Sequence, residues 1–360
     1  MMGDEAAGVS VELIVLATAP DDSAIATVDA FLLGEPRSLT DLVALAERCD
    51  VITFDHELVD LDILQQLAAT GVVLRPSPEA LAFSVDKLVQ REAFAAAGLP
   101  VPNFCAARSP EELPEVFRSR AHLPVLKSPT GGYDGRGVHF PESVEERDEL
   151  LLAMGAIGPV LVEERCTLLS EVAQMVVRGV DGAVKLYPLV TTVQAEGMCN
   201  EVRFPVQVDE AIASRANELT TRIANLVGVV GVMAVEYFVT PEGLLINELA
   251  LRPHNSGHWT IEGCATSQFA NHLLAVSGQP LGDTSPVVAA AVMVNVVGSD
   301  VPATPEAAAI EGVHVHDYGK SWRSGRKLGH VTATGDDLAE LKMQAWKSAH
   351  LYGTRTQETQ

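Results

Sequence analysis

Apolar runs alternate with amphipathic segments over residues 1–78. Three runs have the composition of strands: VELIVLA at 11–17, DVITFD at 50–55 and VVLRPS at 72–77. The segments between them have helical periodicity, one with Ser38 or Thr40 as its N-cap and one that closes at Gly71. Strands in alternation with helices predict a parallel, doubly wound sheet, and ligands bind beyond the carboxyl ends of such strands. The Asp-His-Glu triplet at 55–57 therefore either lines a pocket or forms ordinary polar surface.

A β-hairpin is predicted around Pro-Glu-Gly at 241–243, which two apolar runs flank. Proline suits the start of a type I turn and glycine suits the left-handed residue after it. A three-residue turn places Thr240 opposite Leu244. In that register Glu236 lies opposite Glu248, and both carboxylates share one side of the ladder.

Two carboxylates among apolar neighbours require a cation, because an unpaired ionised carboxylate is costly to bury. Hard oxygen ligands suit Mg²⁺ that holds the phosphates of a nucleotide. Two glutamates on a solvated strand edge are the alternative. The polar run RPHNSGH at 252–258 follows directly and favours the metal site, since it is an unusual composition for an ordinary loop.

A glycine-rich turn is the second candidate site. The segment LPVLKSPTGGYDGRGVHF predicts a strand that ends at Lys127, followed by four glycines within 131–137. Glycines let backbone N–H groups approach a phosphate and form an anion-binding concavity, although a simple hairpin has the same composition. The chain contains no GxxxxGK[ST] motif.

A basic segment near the carboxyl end is the third candidate. Lys320, Arg323, Arg326 and Lys327 are 4 of the 25 lysines and arginines of the chain. Such a concentration on an acidic protein predicts an acidic ligand, and a phosphomonoester can be gripped by a guanidinium. An exposed turn bearing cations is the alternative.

Composition restricts the class of protein. The 360 residues are enough for two or three domains, and 48 acidic against 25 basic residues give a net charge of −23. This charge argues against binding to nucleic acid polymers or membrane surfaces. Apolar runs such as 287–297 are too short to span a bilayer, and no signal peptide precedes the first strand. The five cysteines are scattered and never spaced CxxC, which indicates reduced cysteines of a cytoplasmic protein.

The run EYFV…INELALRPHNSGHWTIEGCATSQF resembles the metal-binding core of the ATP-grasp carboxylate–amine ligases. Its RPHNSGHWT string is long and specific for the branch that acts on a purine-pathway aminoimidazole ribonucleotide. The resemblance implies an α/β and α+β fold in three parts. These are an N-terminal pre-ATP-grasp domain at 1–78, an ATP-grasp core at 79–282 with a mobile lid at about 120–185, and a small β-rich domain at 283–360.

The same resemblance assigns site residues. The ATP contacts that it implies are Lys87, Lys127, Gly132, Tyr133, Asp134, Gly135, Arg136, Gly137, Val138, Glu163, Glu164, Arg165, Cys166, Glu171, Gln194, Asn247 and Glu248. The metal ligands would be Glu236 and Glu248, and the catalytic residues Asp134 and Arg252. The ribonucleotide contacts would be Asn255, Ser256, Lys320, Arg326 and Lys327. The chain departs from the family at Arg165 and Cys166, where an aromatic residue and a valine are usual, and at Gln194, where histidine is usual.

The implied reaction uses ATP, Mg²⁺ and bicarbonate to form carboxyphosphate. Its carboxyl group then passes to the exocyclic amine of 5-aminoimidazole ribonucleotide. The implied partners are these small molecules and a second copy of the chain in a homodimer. Two alternatives stay open. One is a sister ATP-grasp enzyme that activates formate for glycinamide ribonucleotide, and the other is a non-catalytic nucleotide-binding relative.

The start of the chain departs from the family pattern. Members open with a strand and a Gly-Gly-Gly-Gln-Leu turn before the first helix, whereas Met1-Met2-Gly3 resembles the interior of that helix. We therefore expect that the native protein has roughly a dozen or more additional residues, enough for one strand and its turn.

Overall fold

The computed structural model describes residues 1–119, 123–132, 136–195, 197–300 and 305–354. Among these residues no helix is both long enough and apolar enough to cross a membrane.

The N-terminal region consists of a small parallel sheet and its helices. Its elements are α1 Met2–Ala6, β1 Ile14–Ala17, β2 Ala30–Leu33, α2 Leu39–Ala46 and α3 Leu61–Ala69. Strands β1 and β2 pair in parallel, which agrees with the predicted parallel sheet, although β2 itself was not predicted. Ser38 and Asp60 cap α2 and α3 by accepting backbone N–H groups.

The strands predicted at 50–55 and 72–77 are largely wrong, because the two segments meet only at a single parallel bridge between Ile52 and Leu74. Pro76 has no N–H to continue this ladder.

Two helices occupy the segment 77–98. They are α4 Pro78–Val85 and α5 Lys87–Ala96. Asp86 separates them, since its carboxylate accepts the N–H groups of Leu88 and Val89 and so starts the second helix. Gly98 follows α5 with φ +64.

A four-stranded antiparallel sheet comes next. Its elements are β3 Phe104–Ala107, α6 Glu115–Arg118, β4 Val125–Lys127, β5 Val138–His139, α7 Val144–Gly155 and β6 Val160–Glu163, with strand order β3-β6-β4-β5. The lid predicted at about 120–185 overlaps this sheet but omits β3 and extends into the next sheet. The mobility of the lid stays a prediction.

The remaining strands form one nine-stranded sheet. Its elements and their helices are β7 Ser170–Arg178, β8 Val184–Leu186, β9 Val190–Ala195, β10 Met198–Phe204, α8 Glu210–Val227, β11 Gly231–Thr240, β12 Gly243–Ala250, α9 Thr260–Gly263, α10 Gln268–Ser277, β13 Ala290–Val297, β14 Val313–Asp317, β15 Lys327–Gly335 and α11 Leu338–Leu351. The strand order is β12-β11-β7-β9-β10-β13-β15-β14, with β8 on β7. The C-terminal strands therefore continue the central sheet through the β10–β13 pairing.

The faces of the central sheet have different coverings. One face of β7 and β11 packs against α8 and the N-terminal helices, through residues such as Val235, Leu219 and Leu64. The opposite face, which includes Ala234 and Ala250, packs against the segment around Trp259 and α10. The core that contains Leu64 and Val235 includes residues from both sides of the predicted boundary at residue 78. The domain boundaries therefore stay predictions.

The hairpin of β11 and β12 corrects one prediction and confirms another. Thr240 pairs with Gly243, so the loop has two residues and the predicted pairing of Thr240 with Leu244 is wrong. A bulge between Ile246 and Glu248 restores the register, and Glu236 does lie opposite Glu248.

Candidate active site

The two facing glutamates have different protonation. Burial, followed by the nearby Glu248 and Glu171 carboxylates, raises the pKa of Glu236 to about 8. Burial acts the same way on Glu248, but the ammonium of Lys87, which bonds its carboxylate, holds the pKa of Glu248 below its ordinary value. Near neutral pH Glu248 is therefore ionised, whereas Glu236 keeps a proton because burial and the neighbouring carboxylates outweigh the attraction of Lys87 and Lys327.

The residues of this pair fit a magnesium ion. Within the described ranges no group of three or more His, Cys, Asp or Glu residues has the arrangement of a metal site. Glu236 and Glu248 alone would supply two carboxylate ligands. Phosphate oxygens and water would complete the coordination shell, as is usual for Mg²⁺ at a nucleotide. A divalent cation would also relieve the repulsion that keeps Glu236 protonated.

Five charged residues form the ion-pair cluster: Lys87, Arg91, Lys127, Glu163 and Glu248. The carboxylate of Glu163 bonds both Arg91 and Lys127. Burial lowers the pKa of Lys127, an effect that Glu163 partly offsets. Despite its burial, the two cations hold the pKa of Glu163 below its ordinary value. The cluster joins helix α5 to strands β4, β6 and β12.

The glycine-rich turn begins at the carboxyl end of β4, next to Lys127. The Ser128 N–H donates to the carbonyl oxygen of Gly137 at 2.8 Å, and Val138 pairs with Lys127, so the turn closes on itself. Gly131 and Gly137 have φ +75 and +76, which explains why glycine stands at both positions.

Within this turn Gly132 and Arg136 are also described, and a side chain at Gly132 would collide with the Arg136 carbonyl oxygen. Tyr133, Asp134 and Gly135, which the resemblance assigns to the site, lie outside the described residues.

The segment predicted to hold adenine starts where β6 ends. The N–H of Glu164 donates to the Asn103 carbonyl oxygen at 2.8 Å, and its carboxylate accepts from the Asn103 side chain. Arg165 lies over the ring of Phe140 at 5.5 Å, and the thiol of Cys166 faces the carbonyl of Glu164. The structure thus gives Arg165 a partner of its own.

Glu171 lies close to the Glu236–Glu248 pair, whereas Gln194 lies further along the sheet. Glu171 pairs with Phe238 on β11, and burial raises the pKa of its carboxyl group. Gln194 stands opposite Cys199, two residues beyond Thr192, the partner of Glu171 on β9. In the central sheet the predicted nucleotide contacts therefore lie on β12, β7 and β9, while others lie on β4 and β6 of the smaller sheet.

The loop after β12 is held by residues from other parts of the chain. Nε of Arg252 donates to Glu57 at 3.1 Å, and the other oxygen of Glu57 accepts the N–H of Leu251. The amide of Gln268 bonds both the N–H and the carbonyl oxygen of His254. The sequence left the triplet at 55–57 undecided, and the structure connects its glutamate to a predicted catalytic residue.

Asn255 and Ser256 form a short 3₁₀ helix in this loop. The hydroxyl of Ser256 is fully buried and lies 2.9 Å from His254 Nδ1. Its side chain therefore supports the loop from inside, and its role in ribonucleotide binding stays a prediction.

The basic segment at 320–327 comes close to the same loop. Lys320 lies over the ring of Tyr318 at 5.2 Å, and Arg326 donates to the hydroxyl of Ser321 at 2.8 Å. The charge of Lys327 contributes to the lowered pKa values of two histidines of the 254–258 loop. The structure thus brings part of the predicted phosphate site to the 254–258 loop.

Four buried or half-buried histidines form the histidine cluster: His254, His258, His316 and His330. His330 stacks between the rings of His258 and His316, at centroid distances of 4.8 and 4.4 Å. Burial, and then the charge of Lys327, lowers the pKa of His258 to about 3. Burial also lowers the pKa of His254 and His330 far below the ordinary value. These three histidines are neutral.

Sequence reasoning missed Arg91, the histidine cluster and Gln268 as parts of the site. A signal existed for Arg91, because it follows Lys87 by four residues on one helix and must share its face. The pairing of His316 with His330 depends on strand register, which the sequence pattern did not reveal.

Comparison with family models agrees with this arrangement. The ribonucleotide synthetase pre-ATP-grasp domain matches residues 1–85, the ATP-grasp domain residues 92–269, and the phosphoribosylaminoimidazole carboxylase C-terminal domain residues 291–344. Fold and site together define an ATP-dependent enzyme of the ATP-grasp class.

Individual relatives narrow the assignment. The N5-carboxyaminoimidazole ribonucleotide synthase of Mycobacterium tuberculosis is 43% identical over 352 residues, which cover 94% of this chain and 81% of that protein. The structure of N5-carboxyaminoimidazole ribonucleotide synthetase from Thermus thermophilus has a TM-score of 0.89 and 34% identity, covering 99% of this chain and 97% of that one. The Aspergillus clavatus synthase in complex with ADP and 5-aminoimidazole ribonucleotide has a TM-score of 0.86 and 28% identity, covering 98% and 95%. The chain belongs to the N5-carboxyaminoimidazole ribonucleotide synthase family, which confirms the resemblance stated from its sequence.

Proposed function

We propose that this enzyme uses ATP and bicarbonate to carboxylate the exocyclic amine of 5-aminoimidazole ribonucleotide in purine biosynthesis. The observation that carries the proposal is the Glu236–Glu248 pair beside Lys87 and Lys127, in a chain of this family. A bicarbonate oxygen attacks the γ-phosphorus of ATP and releases ADP. The amine then attacks the carboxyl carbon of carboxyphosphate and releases phosphate.

The ATP phosphates would be held by Lys87, Lys127 and the glycine-rich turn. Glu236 and Glu248 would hold Mg²⁺, which when bound neutralises phosphate charge. Phosphoryl transfer depends mainly on positioning and on such neutralisation, so rigid side chains suit it. The many tertiary bonds of the ion-pair cluster support this assignment.

Arg252 would steady bicarbonate and the charge that develops on it. Its bond to Glu57 fixes the guanidinium and leaves further N–H groups for an anion. Asp134 would orient the amine, and Lys320, Arg326 and Lys327 would grip the ribonucleotide phosphate, with Asn255 and Ser256 shaping the same pocket.

A cytoplasmic homodimer completes the proposal. The five free cysteines support a reducing compartment, and the dimer rests on the family resemblance alone. Light scattering coupled to size-exclusion chromatography would measure the mass, and a monomeric mass would refute the dimer.

A crossed ATPase assay tests the reaction. ADP release is measured with bicarbonate or formate, each with aminoimidazole or glycinamide ribonucleotide. We expect stimulation with bicarbonate and aminoimidazole ribonucleotide together. Stimulation by formate and glycinamide ribonucleotide would identify the sister activity, and no stimulation by any pair would indicate a non-catalytic relative.

A further inference from the structure

Arg91 is a buried arginine, and each of its three side-chain nitrogens donates a hydrogen bond within the protein. Its side chain is 1% exposed. Nε donates to Glu163, Nη1 to the Gln90 side chain at 2.7 Å and Nη2 to the Asn247 carbonyl oxygen at 2.5 Å. Because it is enclosed, Arg91 cannot itself reach a ligand, so any effect on the site passes through these neighbours.

The neighbour that matters most is Glu163, which has two cationic partners. Lys127 bonds one carboxylate oxygen and Arg91 bonds the other. Lys127 ends β4 beside the glycine-rich turn, whereas Arg91 lies inside. Of the two cations, only Lys127 is placed to turn toward a phosphate.

If Lys127 turns away from Glu163, the state of the Glu163 carboxylate depends on whether Arg91 is present. A carboxylate as buried as Glu163 is strongly destabilising when it has no cation. With Arg91 in place, Glu163 keeps a charged hydrogen bond after Lys127 turns away. Without Arg91, Lys127 would be the last partner of a buried charge and would stay bound to it.

We propose that Arg91 is a positioning residue that keeps Glu163 paired while Lys127 transfers its hydrogen bond to a phosphate of ATP. The inference rests on the proposed role of Lys127 as an ATP ligand. Arg91 has a second effect on the same site, because its bond to the Asn247 carbonyl secures the bulge that brings Glu248 opposite Glu236.

ATP binding by calorimetry, without bicarbonate or ribonucleotide, tests the proposal on the full chain. Arg91→Met should weaken binding by about tenfold or more, because Lys127 is then retained by Glu163. Adding Glu163→Gln to that variant removes the charge that retains Lys127. Glutamine keeps the hinge backbone through which Glu163 is predicted to contact adenine, so the double variant should recover to within about threefold of the wild type. A merely structural role predicts that the second change adds to the loss.

Arg147→Met is the matched control. Arg147 is also a buried arginine, but it bonds the Phe117 carbonyl oxygen and Asp148 on α7, away from the cluster. It should lower thermal stability and leave ATP affinity unchanged. Wild-type affinity in Arg91→Met, or a double variant no better than Arg91→Met, would overturn the proposal.

Arg91→Lys carries the test if Arg91→Met does not fold. Lysine keeps a cation beside Glu163 but cannot reach Asn247 as well, so ATP affinity should fall by no more than about threefold. A loss of tenfold or more would refute the counter-ion role. Since no ribonucleotide is present, these results do not depend on the carboxylation. A wild type that binds ATP but fails the crossed assay would contradict the proposed function and leave this test intact.

Discussion

The ion-pair cluster and the histidine cluster are both buried, and they differ in charge. In the first, each of the basic side chains Lys87, Lys127 and Arg91 bonds a carboxylate. In the second, burial holds His258 and His330 neutral, and they contact each other through stacked rings.

This difference in charge suits two different tasks in the proposed site, ligand binding and support of the 254–258 loop. Buried ions that share partners can exchange one partner for a phosphate, which suits the binding of a highly charged nucleotide. The neutral rings of His258 and His330 cannot attract such a ligand. They can support the 254–258 loop without adding charge near the proposed metal site. On the proposed function, the ion-pair cluster would bind the nucleotide and the histidine cluster would support the 254–258 loop.

The largest expected effect comes from removing a charge from the ion-pair cluster. Glu248→Gln takes away the partner of Lys87 and one of the two proposed metal ligands, and we expect turnover to fall at least about 100-fold, or about 2.7 kcal/mol. ADP release measured across a range of Mg²⁺ concentrations checks this. Glu242→Gln, at the exposed turn of the same hairpin, is the control and should be silent. Near-normal activity of Glu248→Gln at limiting Mg²⁺ would remove it from the metal site.

A smaller effect is expected where the basic segment meets the histidine cluster. Arg326→Ala should raise KM for the ribonucleotide by roughly 30-fold, or about 2 kcal/mol, through loss of a charged hydrogen bond. KM for ATP should hardly change, because the nucleotide is proposed to bind at the ion-pair cluster. Arg323→Ala, on the exposed part of the same turn, is the comparison. Equal increases in both KM values would indicate a folding role for Arg326.

The neutral state of His258 predicts a pH dependence of stability. The pKa of His258 is about 3 in the folded protein and 6.5 ordinarily, so between these values only the unfolded chain takes up the proton. Stability from this group is complete above about pH 6.5 and is lost as pH falls toward 3. His258→Phe keeps a stacking ring without titrating.

Denaturant unfolding at several pH values measures this contribution. Between pH 6.5 and 4 the stability of His258→Phe should fall less steeply than that of the wild type, by up to about 1.4 kcal/mol per pH unit. Above pH 7 the two curves should be parallel, which is the internal control. Parallel curves over the whole range would mean that His258 is not held neutral.

The smallest expected effect is the loss of one neutral hydrogen bond beside the same cluster. The hydroxyl of Tyr318 lies 3.0 Å from Nδ1 of His330. Tyr318→Phe should reduce the free energy of unfolding by about 1 kcal/mol and leave KM for ATP unchanged. A changed KM for ATP would show that the two clusters are not separate.

Local patterns predicted the elements that carry the ion-pair cluster. The glycine-rich turn after Lys127 and the pairing of Glu236 with Glu248 both depend on short stretches of sequence. The hairpin also shows how a correct pairing can come from a wrong turn. A two-residue loop shifts the register by one, and the bulge at Asn247 shifts it back.

Contacts between distant segments were not predictable from periodicity. Glu57 reaches Arg252 across 195 residues, and the histidine cluster forms only when β14 pairs with β15. The strands expected at 50–55 and 72–77 were overestimated, because apolar composition does not reveal where a ladder ends.

Oxygen transfer from bicarbonate to phosphate tests the central claim most directly. The enzyme is given ATP, aminoimidazole ribonucleotide and freshly dissolved ¹⁸O-bicarbonate, and the phosphate released is analysed by mass spectrometry before the label exchanges with water. If bicarbonate attacks ATP and carboxyphosphate then loses its carboxyl group to the amine, each phosphate retains one bicarbonate oxygen. Phosphate that carries oxygen only from ATP and water would show that water is the nucleophile, and it would contradict the account.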